Sequence, residues 1–253
     1  MNISKKEWDR YISIMRGLSD KAVGDFREYV IKNGGYINME RQDIIDYAFA
    51  LSTKYGEGSA ALAAELYDSV AALDNVILPA ALPAETASYS EVAKTVNGII
   101  KKTLSDEIMV QSVGLLVKDA GQKTIIQNAR RDNAEIAFIA RGDTCPYCIA
   151  LSARGWRRAG LSDLDSDGEP AHLHANCDCT YGVRFNKDTE YADYDPDKYK
   201  KMYLDAPLED GEKPTAKNRI NAMRREQYAQ NKDEINAQKR AAYQKRNDDE
   251  STQ

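Results

Sequence analysis

Cys145-Pro146-Tyr147-Cys148, followed by His172-Leu173-His174-Ala175-Asn176-Cys177-Asp178-Cys179, is the stretch that organises this chain. All four cysteines and both histidines of the sequence fall inside it. A cysteine pair separated by two residues, then a second cluster of Cys and His, is the spacing of a structural Zn²⁺ site. Four tetrahedral positions must be filled from six candidates. The reading adopted is Cys145, Cys148, His174 and Cys177, with Cys179 and His172 in reserve. The two-residue gap between His174 and Cys177 repeats the gap of the first pair. In an extended segment residues two apart share a face, so spacing alone does not choose between His172 and His174 or between Cys177 and Cys179.

Other chemistries fit parts of the cluster. Cys-Pro-Tyr-Cys is the redox motif of glutaredoxins, which needs a helix start after a strand in a thioredoxin-like fold. Two disulfides are a further alternative, disfavoured if the chain matures among reduced thiols. Zinc deaminases place His-x-Glu ahead of Pro-Cys-x-x-Cys; here the histidines follow the cysteine pair and no His-x-Glu exists, so that chemistry is excluded. A nuclease built on a zinc-stapled hairpin would use His172 or Asn176. Arg141-Gly142-Asp143 reads as a tight turn before the first pair. With both histidines in the cluster, no Ser-His-Asp set can be assembled and no phosphate-binding glycine loop is visible.

Outward from the cluster the chain reads as mainly α. Ser4 and Glu7 form a capping box, after which Trp8, Tyr11, Ile12, Met15, Leu18, Ala22, Phe26 and Val30 recur at helical spacing until Asn33-Gly34-Gly35. A second helix carries Ile44, Ile45, Ala48 and Phe49, and Gly56 and Gly58 are expected to break it. The small-residue stretch from Ser59 to Leu73 is then expected to close a tight helical hairpin. Pro79 and Pro83 bracket a predicted turn. Ser88 and Glu91 make another capping box before Val92, Val96, Ile99 and Ile100. Separate helices are expected over 106–117 and 122–134, a strand over 134–140, and another strand leaving the cluster over 179–185.

The expected organisation is a helical assembly domain (1–140), a small zinc-binding α+β knuckle (141–187), an exposed acidic connector (188–213) and a basic helical tail (214–253). The tail holds a repeat: Ile220-Asn-Ala-Met-Arg-Arg-Glu-Gln-Tyr228 returns as Ile235-Asn-Ala-Gln-Lys-Arg-Ala-Ala-Tyr243. Fifteen residues place the copies about 60° apart around one helix. Between Glu212 and Arg246 there are ten Lys/Arg against four Asp/Glu, and few large apolar residues, so the tail has no core of its own. It reads as a solvated helix or as a contact for an acidic partner or DNA. The whole chain has a formal charge of −5, which offers no general basic field for nucleic acid. It lacks an apolar run of about 18 residues, so no membrane span is expected. Nor does its N-terminus show signal-peptide features, so synthesis in the host cytoplasm is expected.

Gly142-Asp-Thr-Cys145-Pro-Tyr-Cys148-Ile-Ala-Leu-Ser-Ala-Arg-Gly-Trp156 with His172-Leu-His174-Ala-Asn176-Cys177-Asp-Cys179 resembles minor capsid proteins of tailed bacteriophages. The ending His-x-Asn-Cys-x-Cys is similar to head-morphogenesis proteins related to phage Mu protein F. The stretches 44–56 and 128–132 and the tail repeat also look like the versions in phages of Gram-positive bacteria. The resemblance implies a non-enzymatic virion component in the phage head, working near portal and major capsid subunits within a larger assembly. It carries Cys145, Cys148, His174, Cys177 and Cys179 over as motif positions, and no catalytic residue.

Overall fold

A computed structural model describes residues 2–141, 144–160 and 177–250, with backbone alone for Asn2, 233–235 and 237–250. The described chain is mainly helical with a small sheet. It divides into two compact units, Met1–Gly142 with Arg154–Asp195, and Asp143–Ala153 with Pro196–Gln253.

The first unit is built on three long helices, α1 (Lys5–Lys32), α2 (Arg41–Leu73) and α4 (Asp106–Arg131), which pack pairwise, with α3 (Tyr89–Ile100) covering α2 and α4. The capping box at Ser4 and Glu7 starts α1, and that at Ser88 and Glu91 starts α3. Three helices end alike. After α1, α2 and α4 the residues Gly34, Asn75 and Asn133 take positive φ, and the following N–H groups of Gly35, Val76 and Ala134 return to Val30, Ala71 and Ala129 carbonyls. This is the Schellman closure, in which glycine or asparagine accepts the left-handed turn.

Two expected breaks do not occur. Helix α2 runs through Gly56 and Gly58, and α4 runs through residues 118–121. The small residues there serve packing. A Cβ on Gly56 would stand 2.9 Å from Thr86 Cγ2, and one on Gly121 would meet Met15 of α1 and Ser59 of α2. The expected hairpin over 59–73 is therefore the second half of one helix, whose small face lets α1 and α4 approach.

The predicted turn at Pro79 and Pro83 is instead an irregular strap over 76–88. Its backbone is satisfied by side chains. Ala81 N–H donates to Asp68, Leu82 N–H to Asn128 and Ala84 N–H to Thr124, each at 2.9 Å. Asn128 Nδ2 donates back to Leu82 O, and Arg131 donates to the Pro79 and Ala80 carbonyls. Since prolines cannot contribute N–H groups, these side chains, Asp68 on α2 and Thr124, Asn128 and Arg131 on α4, substitute for a sheet partner. Asn128→Ala removes both bonds to Leu82 and should cost about 2 kcal/mol. Urea unfolding measures that loss, and amide exchange at Leu82 should accelerate with it.

Strands β2 (Glu135–Ile139), β3 (Arg157–Arg158) and β4 (Thr180–Arg184) form an antiparallel sheet in the order β3-β2-β4, with Glu135 opposite Arg184 and Ile139 opposite Thr180. Both expected strands are present, and β4 packs on α4 and α2. A thioredoxin-like redox site needs a βαβ unit around its cysteine pair; β2 and β3, the strands on either side of this pair in sequence, run antiparallel.

The acidic segment expected to be exposed is tied down. Strand β5 (Glu190–Tyr191) pairs in parallel with β1 (Asn2–Ile3), and Thr189 and Tyr191 are buried. Asp74 receives the Phe185 and Asn186 N–H groups and the Thr189 hydroxyl. The Tyr191 hydroxyl accepts from Val183 N–H and donates to Val183 O at 2.7 Å, which fixes the end of β4.

In the second unit α5 (Pro146–Ser152) packs on α6 (Pro196–Leu204) and α7 (Ala216–Glu250). The basic tail is helical as expected. Ala222 and Met223, in the first copy of its repeat, are buried, whereas most other described positions of α7 are exposed. Arg225 pairs with Glu209 and Glu212, and Arg219 donates to the Tyr203 and Leu204 carbonyls, so these two cations serve the unit itself.

Candidate metal centre

The first cysteine pair sits at the start of α5. Cys145 is the N-cap, extended at φ −67° and ψ 156°, and Pro146 follows at the first helical position, where its missing N–H costs nothing. The Cys145 sulfur takes the capping role of a serine hydroxyl, accepting the Cys148 N–H at 3.3 Å. One turn of helix then brings Cys148 inward, with 2 % of its surface exposed.

The second pair lies on the segment entering β4. Cys177 Sγ accepts the Cys179 N–H at 3.4 Å, and Cys179 Sγ accepts the Arg141 N–H at 3.3 Å. Cys179 is as buried as Cys148. The Cys145, Cys177 and Cys179 sulfurs thus each accept a backbone N–H.

Helix α4 supports this segment from beneath. Lys118 Nζ donates to Cys177 O at 2.8 Å, and Gln122 Nε2, one turn on, donates to Cys179 O at 3.3 Å. Burial pulls the Lys118 ammonium below the usual lysine range, while the nearby Asp178, Cys177 and Asp20 pull it back up. Asp178 also accepts from Arg16 at 3.0 Å. The partly open cavity lined by Ile12, Met15, Arg16, Lys118, Gln122 and residues 177–180 is about 20 Å³, room for about one water molecule.

Cys145 and Cys148 belong to the second unit, and Cys177 and Cys179 to the first. A Cys-x-x-Cys pair and a Cys-x-Cys pair are each the kind of donor set that holds a soft metal ion, and no disulfide joins any of the four cysteines. His174 and His172 lie outside the described residues.

Nothing in the local spacing marks Lys118, Gln122 or Arg141 as site residues. Splitting α4 between Val117 and Gln122 puts Lys118 and Gln122 on different elements. On a single helix they stand four residues apart on one face, and that spacing is the signal an unbroken α4 supplies.

A family model described as VG15 protein matches residues 2–206. The chain belongs to the VG15 protein family. It is a family of viral gene products, and membership places the chain among phage proteins. No curated protein and no solved structure matches it. The matched range takes in the four α-helices of the first unit and its strands, with α5 and α6, and stops short of α7. Among the described residues, no helix is long and apolar enough to cross a membrane.

Proposed function

We propose that this VG15 protein is a structural, non-enzymatic minor capsid component of a tailed phage head, stapled by one Zn²⁺. The observation that carries the reading is two cysteine pairs, with the Cys145, Cys177 and Cys179 sulfurs each accepting a backbone N–H, in a chain whose family is viral. Thiolates are soft ligands that suit zinc. The four positions of the shell are filled from Cys145, Cys148, Cys177, Cys179, His174 and His172. When bound, the ion supplies cross-linking and no reactivity. The protein's own residues do the rest. Arg141 and the pair's own amides orient the sulfurs, and β2 and β4 anchor the second pair to the bundle.

In this reading the protein works beside portal and major capsid subunits, in the phage head. The tail helix α7 is the surface offered to a partner, DNA included. Arg219 and Arg225 are already engaged within their own unit, so DNA contact would fall to the remaining basic positions.

The test is to purify particles, detect the protein in them and identify its neighbours by cross-linking, with metal analysis of the isolated chain. Cross-links to portal or capsid subunits and one zinc per chain are expected. Absence from particles, or Mg²⁺-dependent DNA cleavage that His172→Ala abolishes with zinc retained, would replace this reading by a packaging nuclease. If the tail meets DNA, affinity should fall steeply with added salt and vanish on deletion of 214–253.

A further inference from the structure

A groove of about 310 Å³ lies between the start of α1 and the end of α2, wholly inside the first unit. Its floor is apolar. Ile14 and Leu73 are exposed there, and Leu62 and Leu66 are half-buried. From Leu62 to Leu73 the seam runs about 16 Å along α2, three helical turns. A continuous apolar cleft of this kind on a surface marks an interaction site. Its banks carry opposite charges: Arg10 on the α1 side and Glu65 on the α2 side. Both are exposed, and among the described residues neither has an ion-pair partner. Glu7 also lines the groove, but its carboxylate is committed to the Ser4 N–H and hydroxyl of the capping box. Leu18 packs at Gly58 and Met15 at Ser59, so the two helices run antiparallel. From that second contact Arg10 lies about 7.5 Å back along α1 and Glu65 about 9 Å on along α2. The two charges therefore face each other across the groove at nearly one level.

This arrangement is complementary to itself. A two-fold axis running along the groove lays α1 of one copy over α2 of another, and each Arg10 then meets the partner's Glu65. An axis across the groove would set Arg10 on Arg10, like charge on like. We propose that the groove is the contact surface of a homodimer and that its occupant is a second copy of this chain. The apolar floors pack on each other, and two Arg10–Glu65 ion pairs close the rim. An isologous interface needs one patch that fits itself, and this patch does so in charge as well as in shape. The floor supplies the affinity, while rim charges of this kind fix orientation and reject the wrong register. The inference depends neither on the metal reading nor on a place in the phage head.

Sedimentation velocity on the full chain tests this, with a reductant present to exclude intermolecular disulfides. The wild type should sediment as a dimer that dissociates on dilution. Leu66→Asp places a carboxylate on the floor and should give a monomer with an unchanged far-ultraviolet dichroism spectrum. Arg10→Glu and Glu65→Arg each create two like-charge contacts per dimer and should weaken it at least about 100-fold. Two rescues separate this effect from a folding defect. The double variant Arg10→Glu with Glu65→Arg should dimerise again, and so should an equimolar mixture of the two single variants, as a heterodimer. A wild type that stays monomeric at its highest soluble concentration overturns the proposal. So does a dimer that Leu66→Asp or Arg10→Glu leaves intact, or one that the single charge changes weaken and neither rescue restores.

Discussion

The Cys148→Ser protein is expected to lose its zinc while keeping its helices. Structural zinc binds with an apparent 10–16 kcal/mol in small zinc domains, so one ligand in four represents about 3 kcal/mol, roughly a hundredfold in affinity. The loss should exceed that figure here, because Cys148 is buried and serine oxygen is a poor substitute for thiolate. The bundle of α1, α2 and α4 should be spared. Its core, from Ala22 and Phe26 through Ile44 and Tyr55 to Val113 and Val117, contains no cysteine. Strand β4 should also persist, since five residue pairs tie it to β2 and Tyr181 packs edge-on against Phe138. Loosening is therefore expected in 177–179 and in α5, seen as faster amide exchange there under an unchanged far-ultraviolet dichroism spectrum. Cys145→Ser separates ligand from cap: serine is itself a good N-cap, so the helix should tolerate it, and any zinc loss would mark Cys145 as a ligand. Stoichiometric zinc retained in Cys148→Ser would remove that residue from the centre.

How far the sequence reveals this fold depends on whether a residue has one physical use or several. Ser4 with Glu7 and Ser88 with Glu91 are legible because a capping box satisfies local N–H groups and asks nothing of distant chain. The strands at 135–139 and 180–184 are legible from apolar β-formers beside turn signals. Glycine is ambiguous. At Gly34 it supplies a left-handed turn, and in α2 and α4 it supplies a missing Cβ; nothing local distinguishes the two. Pro79 and Pro83 read locally as a turn because the partners on α4 that satisfy the strap lie 40 and 46 residues along the chain from the N–H groups they accept. The centre divides in the same way. The cysteine spacing fits a metal site, but the environment of each sulfur depends on contacts such as the Cys145 cap and the Arg141 amide that spacing does not encode.

Gly121→Val is expected to be the most damaging single substitution outside the metal centre. The position lies where α4 crosses both α1 and α2. A Cβ there would stand 2.2 Å from Met15 Cε, 2.7 Å from Ser59 Oγ and 3.2 Å from Ser59 O. The three contacts are unequal. Met15 ends in a flexible methyl group that can swing away, and the Ser59 hydroxyl can rotate, giving up its contact with Met15 sulfur. The Ser59 carbonyl is backbone inside α2 and yields only if the helix shifts. Alanine would recover about 1 kcal/mol of helix propensity against this crowding. Valine recovers less and adds two methyl groups, so a net loss of about 3 kcal/mol follows. In a chain of this length that lowers Tm by about 6–12 °C, which calorimetry reads directly. Gly24→Ala, on α1 with no atom within 4 Å of the added carbon, isolates the propensity effect and should raise stability by about 1 kcal/mol. If Gly121→Val melted with the wild type while Gly24→Ala rose, the helices would have room at this crossing. The small-residue face of α2 would then need another explanation than close approach.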